Sequence, residues 1–152
     1  MKKTILKIVT AVLLLALVYG AGWFAWSRTK YGAYIDGMEK SVFYTILTPR
    51  YDNFGKNGYD FGVKYPDAFT FTGNLSVGRS GEGFTDALIV WPKINGSYEY
   101  GVILCEDEKM YQIEIDRNGM PLDAEFDPVV KRHTESIHAL LQQARKQWTI
   151  LT

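Results

Sequence analysis

Two histidines, His133 and His138, are the first residues to consider for chemistry. They are five apart, so on a helix they point about 140° away from each other and share no target. Glu135 and His138 have the three-residue spacing of a carboxylate-bridged metal pair, which needs matching ligands from other helices that this chain does not offer. Ser80 sits in Gly78-Arg79-Ser80-Gly81-Glu82, with glycine on only one of the two sides a nucleophile elbow requires. The same loop lacks the Lys-Ser/Thr ending of a phosphate cradle. Asp116-Arg117-Asn118-Gly119 begins like a calcium loop, but the later ligands are out of register, and Asn-Gly is explained by a turn. Glu106, Asp107 and Glu108 read as a solvated acidic turn. Asn74-Leu75-Ser76 and Asn95-Gly96-Ser97 match glycosylation acceptors only by chance, in a strand and a tight turn. Cys105 is the single cysteine, which excludes an internal disulfide and a cysteine-paired zinc site. It ends the run Val102-Ile103-Leu104 and reads as a small buried hydrophobe. An enzyme would have to use carboxylates such as Asp86, Glu99 or Glu114, whose spacing carries no specific signal.

No catalytic residue, cofactor or metal site is therefore expected. Recognition is the remaining chemistry, and loops and aromatic residues serve it. The expected interaction surface is Arg79, Ser80 and Glu82 of the glycine-rich loop with Tyr98, Tyr100 and Tyr111 of two neighbouring strands. Cross-strand aromatic packing is the plainer explanation of the tyrosines.

One stretch constrains where such a surface works. Ile8 to Ser27 runs for twenty residues without a charge. As a helix it is about 30 Å long, the thickness of a hydrocarbon core. Lys2, Lys3 and Lys7 precede it, and Arg28 and Lys30 follow. Ile8, Leu14 and Leu17 supply the apolar anchor. Trp23 and Trp26 are expected at the far interface, where amphipathic rings prefer to sit. Val18-Tyr19-Gly20 before Ala21 would also pass as a signal cleavage site, but the apolar run continues through Trp26 and favours an uncleaved anchor. Ala16 with Gly20, and Ala21 with Ala25, have the spacing that lets membrane helices approach closely, which leaves homo-oligomerisation open without supporting it.

The elements follow from periodicity. Tyr31, Ile35, Met38 and Val42 recur at helical steps, predicting a connector over 28–48 that continues the membrane helix or forms a short second one. Pro49 to Gly58 reads as punctuation. Strands are expected at Tyr59–Tyr65, at Phe69–Val77 with a bulge or a close backbone approach at Gly73, at Ala87–Trp91, at Tyr98–Cys105 and at Met110–Asp116, with a short edge strand near Met120–Leu122. From Asp127 as N-cap, Val130, Ile137, Leu141, Ala144 and Trp148 form an apolar stripe on a helix of about twenty residues. The fold class is α+β: an N-terminal transmembrane helix, a short helix, a four- to five-stranded antiparallel meander, and a C-terminal amphipathic helix packed on the sheet. The expected organisation is an anchor at 1–27, a connector at 28–48 and a domain at 49–152.

Charge completes the reading. The chain carries 17 basic and 17 acidic residues, yet three lysines precede Ile8 and every acid follows Ser27. The remainder is mildly acidic, with no electrostatic reason to bind nucleic acid. The dense initial lysines favour a cytoplasmic N-terminus and a domain outside, in a periplasm or on an outer face. The expectation is a single-pass, membrane-anchored, non-enzymatic interaction domain, an accessory subunit of an envelope or secretion-type complex. Its partners would be the bilayer and another envelope protein. The alternative is a secreted or periplasmic binding or immunity-type inhibitor released near Gly20.

Overall fold

The computed structural model describes residues 2–41, 48–81, 83, 85–106 and 109–151. Helix α1 covers Lys2–Gly32. Seven strands follow: β1 (Glu39–Lys40), β2 (Arg50–Lys56), β3 (Tyr59–Lys64), β4 (Asn74–Arg79), β5 (Ala87–Pro92), β6 (Tyr98–Glu106) and β7 (Lys109–Ile115). They form one antiparallel sheet in simple chain order, each strand pairing with the next. A 3-10 turn at Ala124–Phe126 leads into α2 (Asp127–Arg132) and α3 (Thr134–Gln147).

The α+β meander is as expected, but the sheet has seven strands rather than four or five. The additions are β1 and β2. Residues read as punctuation form β2, because Arg50, Tyr51, Asp52 and Asn53 pair in continuous register with Lys64, Val63, Gly62 and Phe61. Turn-forming residue types do not prevent pairing where a neighbouring strand edge offers hydrogen bonds. Among the described residues of 28–48 there is no separate second helix. Helix α1 runs on to Gly32, turns follow, and β1 pairs with β2; Val42 of the expected stripe lies outside the described residues.

Strand β4 is shorter than its alternation implied. Phe69 and Phe71 belong to the β3–β4 connection, and Phe69 has a φ of 64°. Their aromatic partners are on α1, which outcompetes continuation of the ladder. The last helical region is broken at His133, whose φ of −102° and ψ of 10° leave the helical region. Asp127 is inside α2 rather than its cap; Phe126 holds that position. The Met120–Leu122 edge is reduced to one bridge between Ile115 and Pro121.

The core lies between the sheet and the helices. Strands β4 and β5 alternate strictly: Leu75, Val77, Leu88 and Val90 face inward and are fully buried. Ile137, Leu140, Leu141 and Ala144 of α3 cover them, and Trp148 sets its ring edge-on to Phe61. The expected stripe on this helix is thus the face it buries.

Helix α1 has two halves. Residues 2–19 are exposed on every side, with Leu17 at 69% and Ile8 and Leu14 above half. From there Trp23, Ser27 and Tyr31, each four apart, are buried, and Tyr34 continues the stripe beyond the helix end. The i, i+4 spacing places them on one face. This face is built into the domain core, whereas residues 2–18 of the same helix are exposed among the described residues.

Candidate functional site

Three regions concentrate polar or aromatic side chains, and each follows from the meander. The first is the junction between α1 and the sheet. The Trp23 indole N–H donates to the Thr70 carbonyl at 2.5 Å, and its ring lies 5.7 Å from that of Phe69. Trp26 meets Phe71 edge-on at 5.2 Å. The Tyr31 hydroxyl accepts the Gly73 N–H at 2.7 Å and lies 3.4 Å from the Pro92 carbonyl, to which it donates. The Lys30 ammonium donates to the Lys93 carbonyl. Gly73 is required here: a Cβ at this position would stand 2.2 Å from the Lys64 carbonyl oxygen and 2.8 Å from the Tyr31 ring. Of the bulge and the close backbone approach expected at Gly73, the structure shows the close approach. Trp23 is only 4% exposed, and Trp26 is half-buried. Both tryptophans dock the domain on its helix.

The second region is an open groove of about 860 Å³ at the β5–β6 and β7 ends. Trp91, Tyr98, Tyr100, Arg117 and Arg145 line it, with Glu99 and Glu114 at its side. Arg145 donates through Nη2 to the Arg117 carbonyl at 2.6 Å. Burial raises the Tyr100 hydroxyl above the ordinary phenol value, against the pull of Arg145 and Arg117. Tyr98 shares a 3.4 Å hydroxyl contact with Tyr34, whose own value burial raises strongly.

The third region holds the titratable cluster that spacing did not reveal. His133 Nδ1 lies 2.8 Å from Asp86 Oδ2, and its Nε2 lies 3.7 Å from Glu106. Asp86 also accepts the Cys105 amide at 3.0 Å. Arg132 grips Glu106 through Nε and Nη2 at 2.6 and 2.7 Å. Burial alone would raise the Asp86 carboxyl, but hydrogen bonds from His133, Cys105 and Ser136 outweigh it and hold the group below the usual carboxylate range. His133 is therefore a clip between the α2–α3 break and the β5–β6 edge. Its partner Asp86 is distant in sequence, so no local pattern announced it. Cys105 is half-buried rather than fully buried, with its thiol 3.6 Å from the Thr85 carbonyl. Burial and the Asp86 charge raise its thiol above the ordinary value, which opposes thiolate chemistry.

The expected interaction residues are not brought together. Arg79 and Ser80 close β4 at the end of the sheet opposite Tyr98. Ser80 donates to Asp60 at 2.5 Å, and its amide donates to the Gly58 carbonyl. Glu82 lies outside the described residues, as do Asp107 and Glu108. Tyr98, Tyr100 and Tyr111 share the inward face and pack at the rim of the core. Tyr100 pairs with Ile115, whereas Tyr111 pairs with Leu104. Four residues of strand, about 13 Å, therefore separate Tyr100 and Tyr111 along the sheet. Only Tyr98 and Tyr100 reach the groove.

The outward face of the sheet has its own pattern. Asp52, Gly62, Ser76, Ile89, Gly101 and Glu114 form one row across six strands. Trp91 lies over Gly101, where a Cβ would meet its ring at 2.8 Å. Among the described residues no group of three or more His, Cys, Asp or Glu side chains is arranged to hold a metal ion. No family model, curated protein or solved structure matches this chain.

Proposed function

We propose that the protein is a single-pass membrane protein whose antiparallel α+β domain is a non-enzymatic protein-interaction module. It serves as an accessory subunit of an envelope or secretion-type complex. The observation that carries this reading is the divided helix. Residues 2–19 are exposed on all sides and carry no charge from Ile8 on, although the same helix is locked into the core from Trp23 onward. Exposing that much apolar surface to water is unfavourable at about 25 cal/mol per Å², and a bilayer removes the cost. The lysines before Ile8 favour a cytoplasmic amino terminus, with the domain outside.

The groove beside Tyr98 and Tyr100 is the surface best suited to a partner. Trp, Tyr and Arg are the side chains that dominate binding energy at protein interfaces, and Trp91, Tyr98, Tyr100, Arg117 and Arg145 line it together. Affinity purification in mild detergent tests the reading. A stoichiometric envelope partner that is lost on Trp91→Ala or Arg145→Glu is the expected result. Recovery of the protein alone, at native expression level, overturns it.

One observation favours a second reading, release by cleavage near Gly20. The buried stripe begins at Trp23, so a product starting at Ala21 would retain every buried docking residue. Mass spectrometry of the mature amino terminus separates the two: a start at Ala21 makes the domain a released binding or inhibitor protein.

A further inference from the structure

The turns of an antiparallel meander gather at two ends of the sheet. The end where β4 begins also holds the end of β3, the β5–β6 turn and the end of β7, because Lys64 pairs with Asn74, Leu75 with Val90 and Pro92 with Tyr98. Helix α1 leaves the domain at this end, through the Tyr31 contacts to Gly73 and Pro92. Apolar exposure concentrates here. Phe69 is 59% and Ile94 63% exposed, and Phe71, Met120 and Leu122 lie in the same set of connections. Scattered single apolar residues need no explanation, but a rim of them around the exit of an apolar helix does.

We infer that this end of the domain sits directly on the phospholipid surface, with Phe69 and Ile94 inserted at the lipid–water boundary beside α1. The inference rests on the anchoring reading and adds the face and depth at which the domain is held. The length of free helix sets the depth. From Ile8, where the uncharged run begins, to Val18 the free helix rises about 17 Å, less than the hydrocarbon thickness, before the first domain contact. That contact is Phe69 stacked on Tyr19, with centroids 6.1 Å apart. Tyr19 lies about 10 Å further into the apolar run than Trp26, so no spacer remains between domain and bilayer.

The loop is built for that position. Backbone polar groups at a lipid boundary must be satisfied within the protein. Thr70 donates both its N–H and its hydroxyl to the Asp67 carbonyl, and the Thr70 carbonyl accepts from Trp23. Phe69 takes a positive φ of 64°, rare for a bulky residue, and packs its ring on Tyr19 and Trp23. Arg28 and Lys30 flank the same junction, at the level where cations face headgroup phosphates.

Site-specific fluorescence in nanodiscs of phosphatidylcholine and phosphatidylglycerol tests this. The full-length chain with Cys105→Ser receives single substitutions Leu14→Cys, Phe54→Cys, Ile94→Cys or Met110→Cys, each labelled with an environment-sensitive dye. All four native side chains are exposed, so labelling leaves the core intact. The expected result is that labels at 14 and 94 are quenched by brominated lipid and shielded from aqueous iodide. Labels at 54 and 110, at the opposite end, are quenched by iodide alone. A label at 94 that behaves like that at 54, with 14 still lipid-quenched, overturns the inference and leaves the anchor standing. Shielding of 94 without lipid quenching assigns this face to a protein partner or second copy and also overturns it. A label at 14 open to iodide overturns both.

Discussion

The Trp23 indole N–H donates to the Thr70 carbonyl across 47 residues of sequence, at 2.5 Å. This bond ties an otherwise uncovered helix to the β3–β4 connection. Trp23→Phe keeps the ring contact with Phe69 and removes the donor, at about 1 kcal/mol. Amide exchange at Thr70 and Gly73 is expected to quicken about fivefold, while Leu75 to Val77 in the sheet stay protected. Trp23→Ala is expected to open the connection outright. Unchanged exchange in both variants would mean that the loop holds itself.

Tyr31 is the hub of the same junction. Tyr31→Phe deletes the hydroxyl that accepts the Gly73 amide and donates to Pro92. Leaving a buried amide without its partner costs about 1–3 kcal/mol. Thermal unfolding in detergent should show the corresponding loss, and an unchanged midpoint would mean that the amide finds another acceptor.

Two glycines invite a paired comparison. A Cβ at Gly73 meets the backbone at Lys64 and Pro66, which cannot yield, at 2.2 and 2.9 Å. A Cβ at Gly62 meets the Ser76 hydroxyl at 2.6 Å, which can rotate away. Gly73→Ala is expected to cost about 3 kcal/mol or more and Gly62→Ala about 1 kcal/mol. Chemical denaturation of the two variants side by side checks the order, and equal losses would contradict it.

Asp86 gives the fold an acid dependence. Its carboxyl is held below the usual range in the folded state, so its contribution is complete above the ordinary unfolded value of about 4. That contribution is lost as pH falls through the depressed folded value. Stability should drop as pH falls below about 4, and Asp86→Asn should remove part of that slope. At neutral pH the variant should lose about 1.5–3 kcal/mol, the worth of hydrogen bonds to a charged group. Arg132→Gln, whose side chain is half exposed beside Glu106, should lose less than Asp86→Asn. Parallel slopes for wild type and Asp86→Asn would assign the acid sensitivity elsewhere.

Core packing supplies the reference. Leu140 is fully buried between α3 and the sheet. Leu140→Ala should cost about 2–5 kcal/mol, more than any single hydrogen-bond variant above. Urea titration checks it, and a loss below about 1 kcal/mol would mean that the helix does not seal the sheet.

Much of the architecture was legible in local pattern. The two-residue alternation at Leu75–Val77 and Leu88–Val90, and the stripe Ile137–Leu141–Ala144–Trp148, name the buried faces, because strand and helix geometry each impose one period on burial. The apolar run through Leu14 and Leu17 is equally plain. Strand β2 was not legible, because its residues favour turns and only the edge of β3 makes them a strand. Phe69 and Phe71 continued the alternation of β4, yet the aromatic rings on α1 drew them out of the ladder. Asp86 and His133 are 47 positions apart, and no period links them. By itself the sequence determined which residues avoid water and that the first helix exceeds what a domain of this size needs. Only the tertiary structure decided that Trp23 and Tyr31 belong to the core while Leu17 does not, because all three are apolar or aromatic residues of one helix and differ only in whether a second surface meets them.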